Sequence, residues 1–198
     1  MYTDFIADQL TFAHNKGLLG DDLIELGNCQ FMTSINRYIK TKVPGYIIAS
    51  TTSEMFSRLQ VGSYTNYPSE DDIPDGIQAS TVCSWSWLQT RFDAPSAWRH
   101  LHEATKVEGC IVINQPIGLT GGVSPASINS LIHIAHSNKY ECPFFAVSNP
   151  SRQFIVKIDS SKYVDDHEMK EILYKFRETS DLRVGVIFKK MSDETFKY

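Results

Sequence analysis

The sequence predicts an α/β (or α+β) fold, a mixed β-sheet flanked by helices, and three observations carry that reading. Short apolar runs rich in Val, Ile and Phe recur between stretches with helical spacing of apolar residues. From Cys110 onward the elements follow the order β-α-β-β-α-β, the ferredoxin-like or split βαβ order. Hydrophobic residues make up 42%, charged residues 21% and aromatic residues 12%, a globular composition that excludes collagen, coiled coil and a disordered tail. A length of 198 residues suits one domain, 1–198, with a helical N-terminal section 1–43, an α/β body 44–190 and a short tail 191–198.

The elements follow in order. A first helix spans 3–15, capped by Thr3, with Phe5, Ile6, Leu10 and Ala13 on one face and Gly17 and Gly20 behind it. Asp21 to Leu26 reads as a short turn of helix ending at Gly27. Asn28 caps a helix from Cys29 to about Lys40, with Phe31, Met32, Ile35, Tyr38 and Ile39 at helical spacing. Pro44-Gly45 stops the chain, and Tyr46 to Ala49 reads as a buried strand. Thr51 and Glu54 form a capping-box pattern that opens a helix with Met55, Phe56 and Leu59 inward. Residues 61–77 carry two prolines, two glycines and an acidic cluster, and read as a long surface loop.

Residues 78–88 are strand-like. Asp93 caps a helix with Pro95 in its first turn and Ala94, Ala97, Trp98 and Leu101 inward. Cys110 to Ile113 is a strand. Ser124-Pro125 is a cap followed by a first-position proline, and the helix behind it buries Ile128, Leu131, Ile132 and Ala135. Phe144 to Val147 and Phe154 to Ile158 form a hairpin across the turn Asn149-Pro150-Ser151. Asp165 and Glu168 open a further helix with Met169, Ile172, Leu173 and Phe176 inward. Val184 to Phe188 closes the chain as a strand.

Several classes of function are disfavoured at once. A net charge of −4 argues against a protein that coats nucleic acid. The four cysteines, Cys29, Cys83, Cys110 and Cys142, form no CxxC pair, so they read as reduced thiols of a cytoplasmic protein rather than as a zinc ribbon or disulfide framework. Asp4 and Asp8 interrupt any signal-peptide core. The apolar runs are far short of the ~20 residues a membrane-spanning helix needs. HExxH is absent, no metal site is assigned and no cofactor is named.

The first candidate site is the strand-to-helix segment Asn114-Gln115-Pro116-Ile117-Gly118-Leu119-Thr120-Gly121-Gly122-Val123-Ser124. Gly118, Gly121 and Gly122 let the backbone approach a ligand, and Thr120 and Ser124 offer hydroxyls. The following helix presents free N–H groups and the positive end of its dipole. This patterning suits a small anionic ligand, nucleotide- or phosphate-bearing, and a transferase or hydrolase acting on it. The spacing matches neither GxGxxG nor the Walker pattern. His100, His102 or His133 would supply acid–base work near neutral pH.

The second candidate is Cys29, in Gly27-Asn28-Cys29-Gln30-Phe31 at a helix start, where the dipole favours the thiolate. These five residues resemble the Gly-x-Cys helix start of papain-like and ovarian-tumour-type cysteine hydrolases. The resemblance implies Cys29 as nucleophile with a downstream histidine base, and His133, His136 and His167 follow in that chain order. A third reading is a protein-interaction module that presents Tyr64, Tyr67 and the acidic residues of loop 61–77 to a partner. His133 and His136 also fit a solvated helix face, and His100 and His102 point in different directions on a helix.

Overall fold

The computed structural model describes residues 3–20, 22–26, 63–67, 70–85, 95–117, 133–148, 154–158 and 182–198. In chain order they contain α1 (Thr3–Asn15), β1 (Asp22–Leu26), β2 (Ser63–Tyr67), a 3₁₀ turn (Glu70–Asp72), β3 (Ala79–Trp85), α2 (Pro95–Glu103), β4 (Thr105–Ile117), β5 (Glu141–Ser148), β6 (Phe154–Ile158) and β7 (Leu182–Lys189). Residues 133–137 are also helical, and we call them α3. The strands form one seven-stranded sheet in the order β2-β1-β3-β4-β7-β5-β6. β2, β1, β3 and β4 are mutually parallel, whereas β7 runs antiparallel to both β4 and β5, and β6 antiparallel to β5. The fold is therefore α/β with a mixed sheet.

Both faces of the sheet are covered. Ile24, Leu26, Val82, Ile111, Ile113, Val184, Val186 and Phe188 alternate onto one face and pack with Ala97, Trp98 and Leu101 of α2 and Ile134 and Ala135 of α3. α1 lies on the other face, where Phe12 meets Phe144 at 5.1 Å between ring centroids. Gly185 sits beneath it, and a Cβ there would come within 2.8 Å of the Phe5 ring. A Schellman motif ends α1: Leu18 N–H donates to Ala13 O, Gly17 N–H donates to His14 O, and Gly17 takes φ +67°.

Most described elements match the expectations, and the exceptions have physical causes. Asp22–Leu26 is a strand, not a turn of helix. A central parallel strand is covered on both faces and shows no alternation, and five residues do not separate the two periods. Within 61–77, Ser63–Tyr67 pairs with β1, so the expected long loop is a short edge strand followed by a 3₁₀ turn. An edge strand tolerates the polar composition that suggested a loop. Asn114 to Ile117, expected to begin the glycine-rich loop, are strand residues because β7 pairs with β4 from Cys110 through Ile117.

The chain order β-α-β-β runs through β4, α3, β5 and β6, and β7 follows. In the sheet, however, β7 lies between β4 and β5, and β4 is bound to β3. The C-terminal elements thus extend one sheet instead of closing a separate ferredoxin-like unit. The expected helices at 29–40 and 51–59, the strand at 46–49 and the helix opening at Asp165 lie outside the described residues.

The tail 191–198 is built into the structure. Asn138 clasps Lys197 twice, its Nδ2 donating to Lys197 O at 2.7 Å and its Oδ1 accepting from Lys197 N–H at 2.8 Å. Phe196 packs on the His102 ring at 5.7 Å between centroids. Among the described residues, no helix is long and apolar enough to cross a membrane.

Candidate functional site

The carboxyl ends of the parallel strands form one edge of the sheet. From β1 the chain passes to β2 on one side, and from β3 it passes to β4 on the other. The crevice between β1 and β3 is therefore a topological switch point, the place where open α/β sheets bind ligands.

Side-chain chemistry changes at that edge. β1 runs Leu23-Ile24 and then Glu25. β3 runs Val82-Cys83 and then Ser84. β4 runs Ile111-Val112-Ile113 and then Asn114-Gln115, and β7 enters at the same edge with Arg183. Glu25, Ser84, Asn114 and Gln115 are all 0% exposed, and Arg183 is 3% exposed. Burying polar groups costs free energy unless each is paired, so five of them gathered toward one edge of four neighbouring strands need partners.

Much of the pairing is internal. Arg183 donates through Nε to Asn114 Oδ1 at 2.5 Å and through Nη2 to Asn114 O at 2.8 Å. Asn114 Nδ2 donates to Gln9 Oε1 at 3.0 Å, and Gln9 Nε2 donates to Ile113 O and Val186 O at 2.9 and 2.8 Å. This network fixes α1 across the β4–β7 seam. Gln115 Nε2 donates to Ser84 Oγ over 3.4 Å, but Gln115 Oε1 has no hydrogen-bond partner among the described residues. The carboxyl edge thus holds a buried acceptor beside a hydroxyl.

The expected site residues fall in different places. Gly118, Thr120, Gly121, Gly122, Ser124 and Cys29 lie outside the described residues. The strands locate where their segments start: Gly118 follows Ile117 at the end of β4, and Gly27 follows Leu26 at the end of β1. Both segments leave the carboxyl edge. His102 does not join them. It precedes β4, so the length of that strand separates it from Ile117, where the glycine-rich segment begins. His133 is exposed on α3, within 3.5 Å of the Ser137 hydroxyl. His100 lies 3.2 Å from Asp71. Tyr67, expected on a partner surface, is partly buried against the core.

His102 is only 4% exposed and belongs to the tail's anchorage. Its Nε2 lies 2.9 Å from Glu194 O, which can only accept, so Nε2 carries the proton. Nδ1 is then the acceptor for the Tyr140 hydroxyl at 2.5 Å. Burial, helped by the nearby Lys190 charge and opposed by the Glu194 carbonyl, Asp193 and Glu103, holds its pKa below the usual 6.5. The unfolded chain therefore takes up the proton first as pH falls. Stability from neutral His102 is complete above about pH 6.5 and declines below it, until the lower folded-state pKa is passed. Urea midpoints followed from about pH 8 to about pH 5 are expected to fall more steeply in the wild type than in His102→Gln. Parallel curves would remove His102 from the account.

Burial also pushes the Cys110 and Cys142 thiols up to about 12 and Cys83 well above its ordinary value, so these cysteines are not thiolates at neutral pH.

No family model and no curated protein matches the sequence. Solved structures do share its fold. The plantazolicin methyltransferase BpumL in complex with SAH superposes with a TM-score of 0.52 at 10% identity, over 96% of this chain and 84% of that one. The N-methyltransferase NodS from Bradyrhizobium japonicum WM9, in complex with S-adenosyl-l-homocysteine, gives 0.51 at 9% identity, over 94% and 86%. Against the Haemonchus contortus phosphoethanolamine N-methyltransferase 2 the TM-score is 0.46 at 7% identity, and this chain spans 38% of that one. At these identities the likeness is one of fold.

Proposed function

We propose that the chain is a methyltransferase that binds S-adenosylmethionine at the carboxyl edge between β1 and β3. The observation that carries the reading is the run of buried polar side chains ending β1, β3 and β4 at a topological switch point, in the fold of proteins solved with SAH. The ligand is a nucleoside bearing an amino-acid carboxylate. It keeps the nucleoside part of the expected ligand but is not an anion: a sulfonium and an ammonium stand against its one carboxylate, and it carries no phosphate. When bound, it supplies an activated methyl group on its sulfonium.

The chain's own residues would do the holding. Gly27, which follows Leu26 at the end of β1, would allow close backbone approach to the ligand. Gln115 Oε1 is a buried acceptor for a ligand N–H or O–H, with the Ser84 hydroxyl beside it. Gly118, Thr120, Gly121, Gly122 and Ser124, after β4, would flank the same edge and offer backbone N–H groups to the carboxylate. Cys29, the nucleophile of the cysteine-hydrolase reading, lies outside the described residues.

Calorimetric titration with S-adenosylhomocysteine is expected to show one saturable site with Kd of ~100 μM or tighter. Gln115→Leu is expected to weaken it ~10-fold while leaving the melting temperature unchanged or raised, because the variant removes an acceptor that the protein itself does not satisfy. Failure to saturate at ~1 mM ligand overturns the proposal.

A further inference from the structure

We propose that a cavity on the opposite, amino edge of the sheet binds a small organic monocation with an apolar body. The cavity measures about 460 Å³ and lies between residues 73–78 ahead of β3, the end of α2 and the chain that follows β7. That volume is within the range of small-molecule sites.

Its lining combines two features. Ile73, Ile77 and Phe196 give an apolar wall, and Ile77 is 45% exposed although it is large and hydrophobic. Asp75, Glu103, Asp193 and Glu194 supply carboxylates. Two of these are answered within the protein. Asp193 pairs with Lys190 at 2.8 Å, and Glu194 pairs with Lys139 and Lys197, each at 2.9 Å. Asp75 and Glu103 have no ion-pair partner among the described residues.

The groups that would welcome an anion are already in use. Lys190 is 1% exposed, and its Nζ donates to His102 O, Thr105 O and Asp193. Both ring nitrogens of His102 are bonded, and His100, which also lines the cavity, lies 3.2 Å from Asp71. What remains is an apolar wall beside two uncompensated negative charges. An ammonium or guanidinium group would sit against Asp75 and Glu103, with its hydrocarbon or aromatic body on Ile73, Ile77 and Phe196. An anion is repelled, and a neutral apolar molecule gains nothing from the carboxylates.

The cavity precedes Ala79 at the start of β3, whereas Ser84 and Trp85 end that strand, so roughly 20 Å of strand separates the two edges. The proposal therefore does not rest on the methyltransferase reading.

The test is an NMR titration of the full chain with phenethylammonium in low salt, read at backbone amides. Saturable shifts centred on Ile77, Glu103 and Phe196 are expected, with Kd of ~1 mM or tighter. The double variant Asp75→Asn/Glu103→Gln is expected to weaken binding at least ~10-fold, and phenylpropionate, with a similar body and the opposite charge, to bind at least ~10-fold more weakly than the amine. Both side chains are exposed, so the variant should melt with the wild type and bind S-adenosylhomocysteine as the wild type does. If its melting point falls, Ile77→Lys serves instead, because it sets a cation on the exposed wall and must weaken binding to the same degree. No saturation by ~10 mM amine, equal affinity in the variant, or equal affinity for the carboxylate overturns the proposal.

Discussion

Replacing Lys190 with methionine is expected to lower the unfolding free energy by ~3 kcal/mol, because it breaks a buried charge out of its hydrogen bonds. The ammonium donates to His102 O at 2.9 Å, Thr105 O at 2.8 Å and Asp193 Oδ1 at 2.8 Å. Methionine fills nearly the same volume, so little of the loss is cavity. The cost is two backbone carbonyls left buried where α2 gives way to β4. Asp193→Asn should cost far less, since that side chain is 70% exposed and exposed ion pairs contribute little. Urea denaturation of the two variants checks the contrast. If Lys190→Met unfolds with the wild type, the lysine is not what ties the tail to α2.

The second large effect is expected at Gly185. The residue is paired with Asn114 on one side and Ala146 on the other, and α1 crosses directly over it. A Cβ there would stand 2.8 Å from Phe5 Cζ and 3.0 Å from Gln9 Oε1. Gly185→Val should therefore cost ~3 kcal/mol by forcing α1 away from the sheet and opening the Gln9 bonds to β4 and β7. Combining Gly185→Ala with Phe5→Leu should recover part of the loss of Gly185→Ala alone, because the two sites share one space. Strict additivity would show that α1 is not resting on this strand.

Much of the architecture was legible because local signals agreed with the packing. α2 was readable from Asp93, Pro95 and the inward Ala97, Trp98 and Leu101, and these three are buried as expected. The β5–β6 hairpin was readable from two apolar runs around Asn149-Pro150. β1 was misread because Leu23, Ile24 and Leu26 are apolar for two faces at once. β2 was misread because its partner is β1 alone, so its polar composition resembled a loop.

The candidate site was less legible, for a different reason. Its signal is distributed over single polar residues that end apolar runs: Glu25 in Leu-Ile-Glu-Leu, Ser84 after Val-Cys, and Asn114-Gln115 after Ile-Val-Ile. Each alone resembles an ordinary strand end. Only the strand order, with β1 beside β3 and β3 beside β4, reveals that they gather toward one edge of the sheet. Gln9 and Arg183 gave no signal at all, since their partners lie 105 and 69 residues away along the chain. The glycine-rich segment was noticed for its composition, although β4 extends through Ile117 before that segment begins.

The last of the described strands along the chain occupies an interior place in the sheet. β7 separates β4 from β5, so a growing polypeptide that has emerged only as far as β6 has two ladders without their shared neighbour. The two ladders can join into one sheet only once β7 has left the ribosome. A nascent chain stalled before Leu182 should expose the rims of β4 and β5 to chaperones and proteases, and emergence of β7 should abolish that exposure in a single cooperative step.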